Sequence, residues 1–128
     1  MFFWNNNKKK QEVPVIEKVE VADIEKLKEK IECLETDLTA ALGKDRIACL
    51  NALGSAYMEI QDTEQAIHYY EISLEEDTVF GKACTDLMSL YNIKRREAAV
   101  AKDDEQLQLY LNKIDNLMQT TKTIMRKV

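Results

Sequence analysis

Apolar residues recur along most of this chain at alternating steps of three and four, the spacing that lines one face of a helix. Ile24, Leu27, Ile31, Leu34, Leu38 and Ala41 form the first such stripe and predict a helix from near Asp23 to Gly43. Its remaining positions are mostly Glu, Lys and Asp, so the stripe requires a partner surface in this chain or another. Ile47, Leu50, Leu53, Ala56, Tyr57 and Ile60 predict a second helix over about 46–61, with Asp45 as its cap. Asp62 followed by Gln65 has the form of a capping box and predicts a third helix ending near Glu76. The short connection forces these two helices into an antiparallel hairpin. A fourth helix is expected from Asp77 or Thr78 through Phe80, Ala83, Cys84, Leu87, Leu90 and Tyr91 to about Lys102. Asp103 or Asp104 then caps a fifth, with the stripe Leu107, Tyr110, Leu111, Ile114, Leu117, Met118 and Met125. The expected fold class is all-α: about five helices in antiparallel hairpins over residues 23–128.

Residues 1–22 break the pattern. "MFFWNNNKKK" is followed by "QEVPVIEKVEV", where Pro14 opposes helix and valines recur near every second position, so a flexible N-terminal tail is expected. Phe2, Phe3 and Trp4 beside Lys8, Lys9 and Lys10 suit a weak membrane contact, with aromatic rings at the interface and ammonium groups on anionic headgroups. The alternative for this tail is simple solvation.

Composition narrows the function classes. Three glycines and one proline in 128 residues cannot punctuate many strands. The net charge is −5, and with +3 carried by Lys8 to Lys10 the rest of the chain sums to −8. An acidic body without a basic stripe excludes nucleic acid as the expected partner. Cys33, Cys49 and Cys84 are odd in number and widely separated, with no CxxC pair. They are expected to be buried free thiols in a reducing compartment, with the cytoplasm as the default location and the inner face of a membrane if the tail attaches there. No run of apolar residues is long enough to cross a bilayer.

Within the second and third helices, Leu50, Leu53, Gly54, Tyr57, Ala66, Tyr70 and Leu74 match a known pattern. Residues 47–80 resemble one tetratricopeptide repeat, a helix-turn-helix unit of about 34 residues. Gly54 and Ala66 would lack bulk where the two backbones approach, which offsets the roughly 1 kcal/mol that glycine costs inside a helix. Leu50 stands where the family often has Trp, Gln61 where it has a turn glycine, and Thr78 where a proline commonly ends the unit. A second register from Gly81 keeps Cys84, Leu87 and Tyr91, with Met88 at the glycine position, and requires its turn to be displaced by an insertion. The first helix then stands as the second half of a preceding unit.

The resemblance implies a non-enzymatic adaptor that binds a protein or peptide partner on the surface lined by the first helix of each unit. On that register the partner-binding positions are Asn51, Ser55, Met58, Lys82, Thr85, Ser89 and Asn92. Asn51 and Asn92 suit an extended peptide backbone and Lys82 suits an acidic group. Because repeat arrays commonly need about three units to bury a continuous core, a homodimer is also expected. A second reading is a self-associating helical structural protein tethered to a membrane surface by the tail. Catalysis finds no constellation: His68 is the one histidine, and neither GxGxxG, HExxH nor a phosphate loop is present. No catalytic residue, cofactor or metal is expected.

Overall fold

The computed structural model describes residues 23–127, which form five α-helices and no strand: α1 (residues 23–38), α2 (Gly43–Glu59), α3 (Thr63–Glu76), α4 (Lys82–Val100) and α5 (Asp104–Lys127). The expected tail, with Phe2, Phe3, Trp4, Lys8, Lys9 and Lys10, lies outside the described residues. Helices α2 and α3 make one hairpin and α4 and α5 a second, with α3 packed on α4.

Each hairpin turns in the same way. At the end of α2 the Asp62 amide bonds the Tyr57 carbonyl (2.9 Å) and the Gln61 amide bonds that of Met58 (3.1 Å). At the end of α4 the Asp103 amide bonds Ala98 (2.9 Å) and the Lys102 amide bonds Ala99 (3.2 Å). Both are Schellman motifs, which satisfy the last helical carbonyls by sending one residue into the left-handed region. Those residues are Gln61 (φ 65°) and Lys102 (φ 56°). The next residue in each case caps the following helix, Asp62 accepting from the Gln65 amide and Asp103 from the Gln106 amide, both at 3.2 Å.

Leu50 and Leu53 of α2 are buried, and so are Cys84 and Leu87, which stand 34 residues after them in α4. The turns are further apart. Lys102 follows Gln61 by 41 residues, seven more than that interval. Seven residues are close to two helical turns, so the longer hairpin retains its inward face.

Three boundaries differ from expectation. Helix α1 ends at residue 38 instead of running to Gly43. Its last turn tightens, with the Thr39 and Ala40 amides reaching back three residues (both 3.2 Å) and the Thr39 hydroxyl taking the Thr36 carbonyl (2.7 Å). Gly43, with φ 57°, then opens α2 in a conformation that glycine adopts without strain. Asp45 is not the cap of α2; it sits in the first turn, and Leu42 holds the cap position without a side-chain bond. Helix α4 begins at Lys82, not at Asp77 or Thr78, because Asp77 closes α3 in an extended conformation and the Thr78 hydroxyl bonds back to the Leu74 carbonyl (2.7 Å). Val79 and Phe80 are left half-exposed in the connection.

Two clusters make the core. Ile31 of α1 packs with Leu53 and Ala56 of α2, flanked by Leu27, Leu34, Leu38 and Tyr69, so the α1 stripe finds its partner within the chain. The larger cluster joins α3, α4 and α5 through Ile67, Tyr70, Leu87, Leu90, Tyr91 and Leu117.

Candidate partner-binding site

Gly54 explains how α2 and α3 come together. A Cβ placed on it would stand 2.8 Å from Cδ1 and Cε1 of Tyr70 and 2.9 Å from Cδ2, so the tyrosine ring lies directly on the glycine backbone. Ala66, one helical turn before Tyr70 in α3, is fully buried. The ring continues across to the second hairpin, where the Tyr70 hydroxyl donates to Asp86 Oδ2 (2.6 Å). The same oxygen accepts from Lys82 Nζ (2.6 Å). One side chain therefore joins the tight glycine contact in the first hairpin to a charged pair on α4. Burial, reinforced by the Asp86 carboxylate, pushes the Tyr70 hydroxyl pKa well above that of free tyrosine and keeps the hydroxyl a donor.

Tyrosine–carboxylate bonds recur at the other junctions. The Tyr91 hydroxyl of α4 donates to Glu71 of α3, and Glu71 also accepts from Lys113 of α5 (2.8 Å). The rings of Tyr57 and Tyr69 stack at 5.7 Å and both hydroxyls donate to Glu35 of α1, at 3.0 and 3.2 Å. Burial first, and then the bond to Glu35, pushes Tyr57 up to about 12. Glu35 thus ties α1 to α2 and α3, Asp86 ties α4 to α3, and Glu71 ties α3 to both α4 and α5, through carboxylate acceptors whose bonds are stronger than those of neutral pairs.

Between α2 and α4 lies a cleft of about 300 Å³ lined by Asn51, Ala52, Ser55, Tyr70, Val79, Gly81, Lys82 and Ala83. It brings together three of the positions singled out from the sequence. Lys82, whose side chain is 71% exposed, reaches Ser55 Oγ at 3.5 Å as well as Asp86. Its ammonium is already balanced by that carboxylate. Asn51 lends its amide oxygen to the buried Ser73 hydroxyl of α3 (2.5 Å), so this side chain is positioned by the hairpin it borders. The remaining positions do not line the cleft. Thr85 and Ser89 are exposed further along α4. Asn92 is half-buried, donating to the Met88 carbonyl (3.0 Å) and accepting from Arg95 (3.2 Å). Met58 packs against the main core. Sequence reasoning missed Tyr70 as a wall of the cleft, because its place there carries no signal until the hairpins are docked.

A larger concavity of about 740 Å³ lies between residues 78–80 and the last turns of α5, with Val79, Phe80 and Ile124 on its walls. It is chiefly apolar, and Lys127 is the charged residue lining it.

The thiols depart from expectation. Only Cys84 is buried, its thiol directed at the Val79 carbonyl (3.3 Å); Cys49 is half-buried and Cys33 is exposed, because it falls off the apolar stripe of α1. His68 is exposed with its ring edge-on to Tyr69 at 5.1 Å. Lys94 of α4 pairs with Glu97 (3.4 Å) and, across to α3, with Glu64 (3.9 Å). Among the described residues no cluster of metal-ligating side chains occurs, and no helix is long and apolar enough to cross a membrane. No family model matches the chain, and no curated protein or solved structure matches it.

Proposed function

We propose that this chain is a non-enzymatic adaptor of tetratricopeptide-like type that holds a partner segment along the face formed by α2 and α4. The observation that carries this reading is the cleft between the first helices of the two hairpins, where Asn51, Ser55 and Lys82 converge on one side and Thr85 and Ser89 continue the polar track along α4. Hydroxyl and amide groups at intervals along a helix suit the backbone of an extended peptide, which offers donors and acceptors at every residue. The Lys82–Asp86 pair makes the cleft nearly neutral, so recognition rests on hydrogen bonding and shape more than on a strongly charged ligand.

The reading is tested by placing a photo-crosslinking residue at Ser89, or at Glu29 on the outer side of α1, and irradiating cells that produce the chain. Discrete adducts at position 89 that are absent at 29, and that fade when Lys82 and Ser55 are replaced by Glu and Trp, support the adaptor. Equal labelling at both positions, or none at 89, refutes it.

A further inference from the structure

The two ends of the helical stack are finished differently. At the α1 end the outward positions are Glu25, Lys28, Glu29, Glu32 and Thr36, and no large apolar side chain between residues 23 and 38 is exposed. This is the polar outer face that closes a stack of helices. At the α5 end Leu111, Met118 and Met125 are 41%, 46% and 60% exposed. They recur every seventh residue and so lie within about 40° of one another around the helix. Among α2 to α5, helix α5 runs close to α4 alone, and neither α2 nor α3 covers this flank.

The hairpin turns show what the flank is for. Leu111 stands as far beyond Lys102 as Tyr70 stands beyond Gln61, and Tyr70 is the residue through which the first hairpin reaches the next layer at Asp86. Leu111 thus holds the place of a side chain that meets a further helix. The seam it belongs to has Leu111, Met118 and Met125 as its exposed edge and the half-buried Leu107, Ile114 and Thr121 as its inner edge, where Ile114 also packs on the core of its own chain. Together these six positions have spacings 4, 3, 4, 3, 4 that read identically in both directions. Run antiparallel against itself, this seam sets Ile114 opposite Met118, Leu107 opposite Met125 and Glu105 opposite Lys127. The first turn of α5 carries Asp104 and Glu105 and the last carries Arg126 and Lys127, so the charges are complementary only in the antiparallel arrangement.

We propose that α5 is a homodimer interface, in which two copies of the chain pair their fifth helices antiparallel about a twofold axis near Asn116. The interface is isologous and therefore closes at two subunits instead of propagating into a filament. It covers the open end of each stack and leaves the α2–α4 cleft free.

The full chain is examined by sedimentation velocity from low micromolar to several hundred micromolar protein. The expected result is a concentration-dependent shift to twice the 14.8 kDa chain mass. Leu111→Glu with Met118→Glu raises the dimer Kd at least about tenfold, because carboxylates then face apolar side chains, while the helical circular dichroism of the dilute monomer is unchanged. Glu105→Lys alone weakens the dimer, and Glu105→Lys combined with Lys127→Glu restores it. A chain that stays monomeric throughout, whether its α5 flank meets lipid or an unrelated protein, overturns the proposal. So does a dimer indifferent to the Leu111 and Met118 changes, or one that the double charge exchange fails to restore.

Discussion

Replacing Gly54 by alanine sets two effects of known sign against each other. Alanine inside a helix is favoured over glycine by about 1 kcal/mol, so an exposed site would gain stability. Here the new Cβ would lie 2.8 Å from two carbons of the Tyr70 ring and 2.9 Å from a third, against the roughly 3.5–4.0 Å at which carbon contacts are favourable. The ring cannot yield easily, because it is 1% exposed and its hydroxyl is held by Asp86 at 2.6 Å. Overpacking of this kind costs about 1–3 kcal/mol, and three simultaneous close contacts place this site at the upper end. The net expectation is a loss of about 2 kcal/mol, or roughly 8 °C in Tm for a domain near 100 residues. Urea unfolding followed by circular dichroism at one fixed protein concentration measures it. Tyr70→Leu provides the control, since it removes the ring and retains apolar bulk. In that background Gly54→Ala should become stabilising by about 1 kcal/mol, giving a coupling energy near 3 kcal/mol. A change of the same sign in both backgrounds would refute the account of the glycine.

The turns offer a gain in place of a loss: Gln61→Gly and Lys102→Gly should each stabilise by about 1 kcal/mol, because both positions hold a left-handed conformation that costs side chains with a Cβ. Asp62→Ala and Asp103→Ala should each cost about 1 kcal/mol in the same melts through loss of the cap. Alkaline pH tests the tyrosine bonds. Tyr57 is raised in the folded chain from about 10 to about 12, so its contribution is complete below pH 10 and disappears as pH rises through 12. Tyrosinate absorbance and helical signal recorded together should show unfolding beginning in that interval, and full ionisation of Tyr57 at pH 10 in a folded chain would contradict it. Thiol labelling of the native protein should be fast at Cys33, slower at Cys49, and complete at Cys84 only after denaturation.

The first hairpin was legible because its signals are local. Gly54, Ala66 and the Asp62 cap each announce a helix contact or boundary within a few residues, and the structure places all three accordingly. The start of α4 was not legible, because Phe80 precedes Ala83, Cys84 and Leu87 at helical spacing and what stops the helix is the use of Asp77 and Thr78 to close α3. The α5 stripe was read as one face, yet it divides. Tyr110, Ile114 and Leu117 turn toward the core that α5 shares with α4 and α3, and Leu111, Met118 and Met125 remain outside, because those neighbours lie on one side of α5 and cover less than the full width of the stripe. The cleft was half legible. Helical register singled out Asn51, Ser55 and Lys82, and Asp86 pairs with Lys82 one turn along the same helix, whereas the Tyr70 hydroxyl that Asp86 also accepts arrives from another helix and has no local signal.

The seven-residue displacement between the two turns has a bearing on how such a chain can change. An added heptad rotates a helix by only about 20° away from its former phase, so a hairpin lengthened by that step keeps the same side chains directed at its neighbour. Because both turns are built from one left-handed residue followed by a capping aspartate, the turn can be carried outward intact when its helices grow. Hairpin length in this chain is therefore a variable that insertions can alter in whole heptads, independently of the contacts that dock one hairpin on the next.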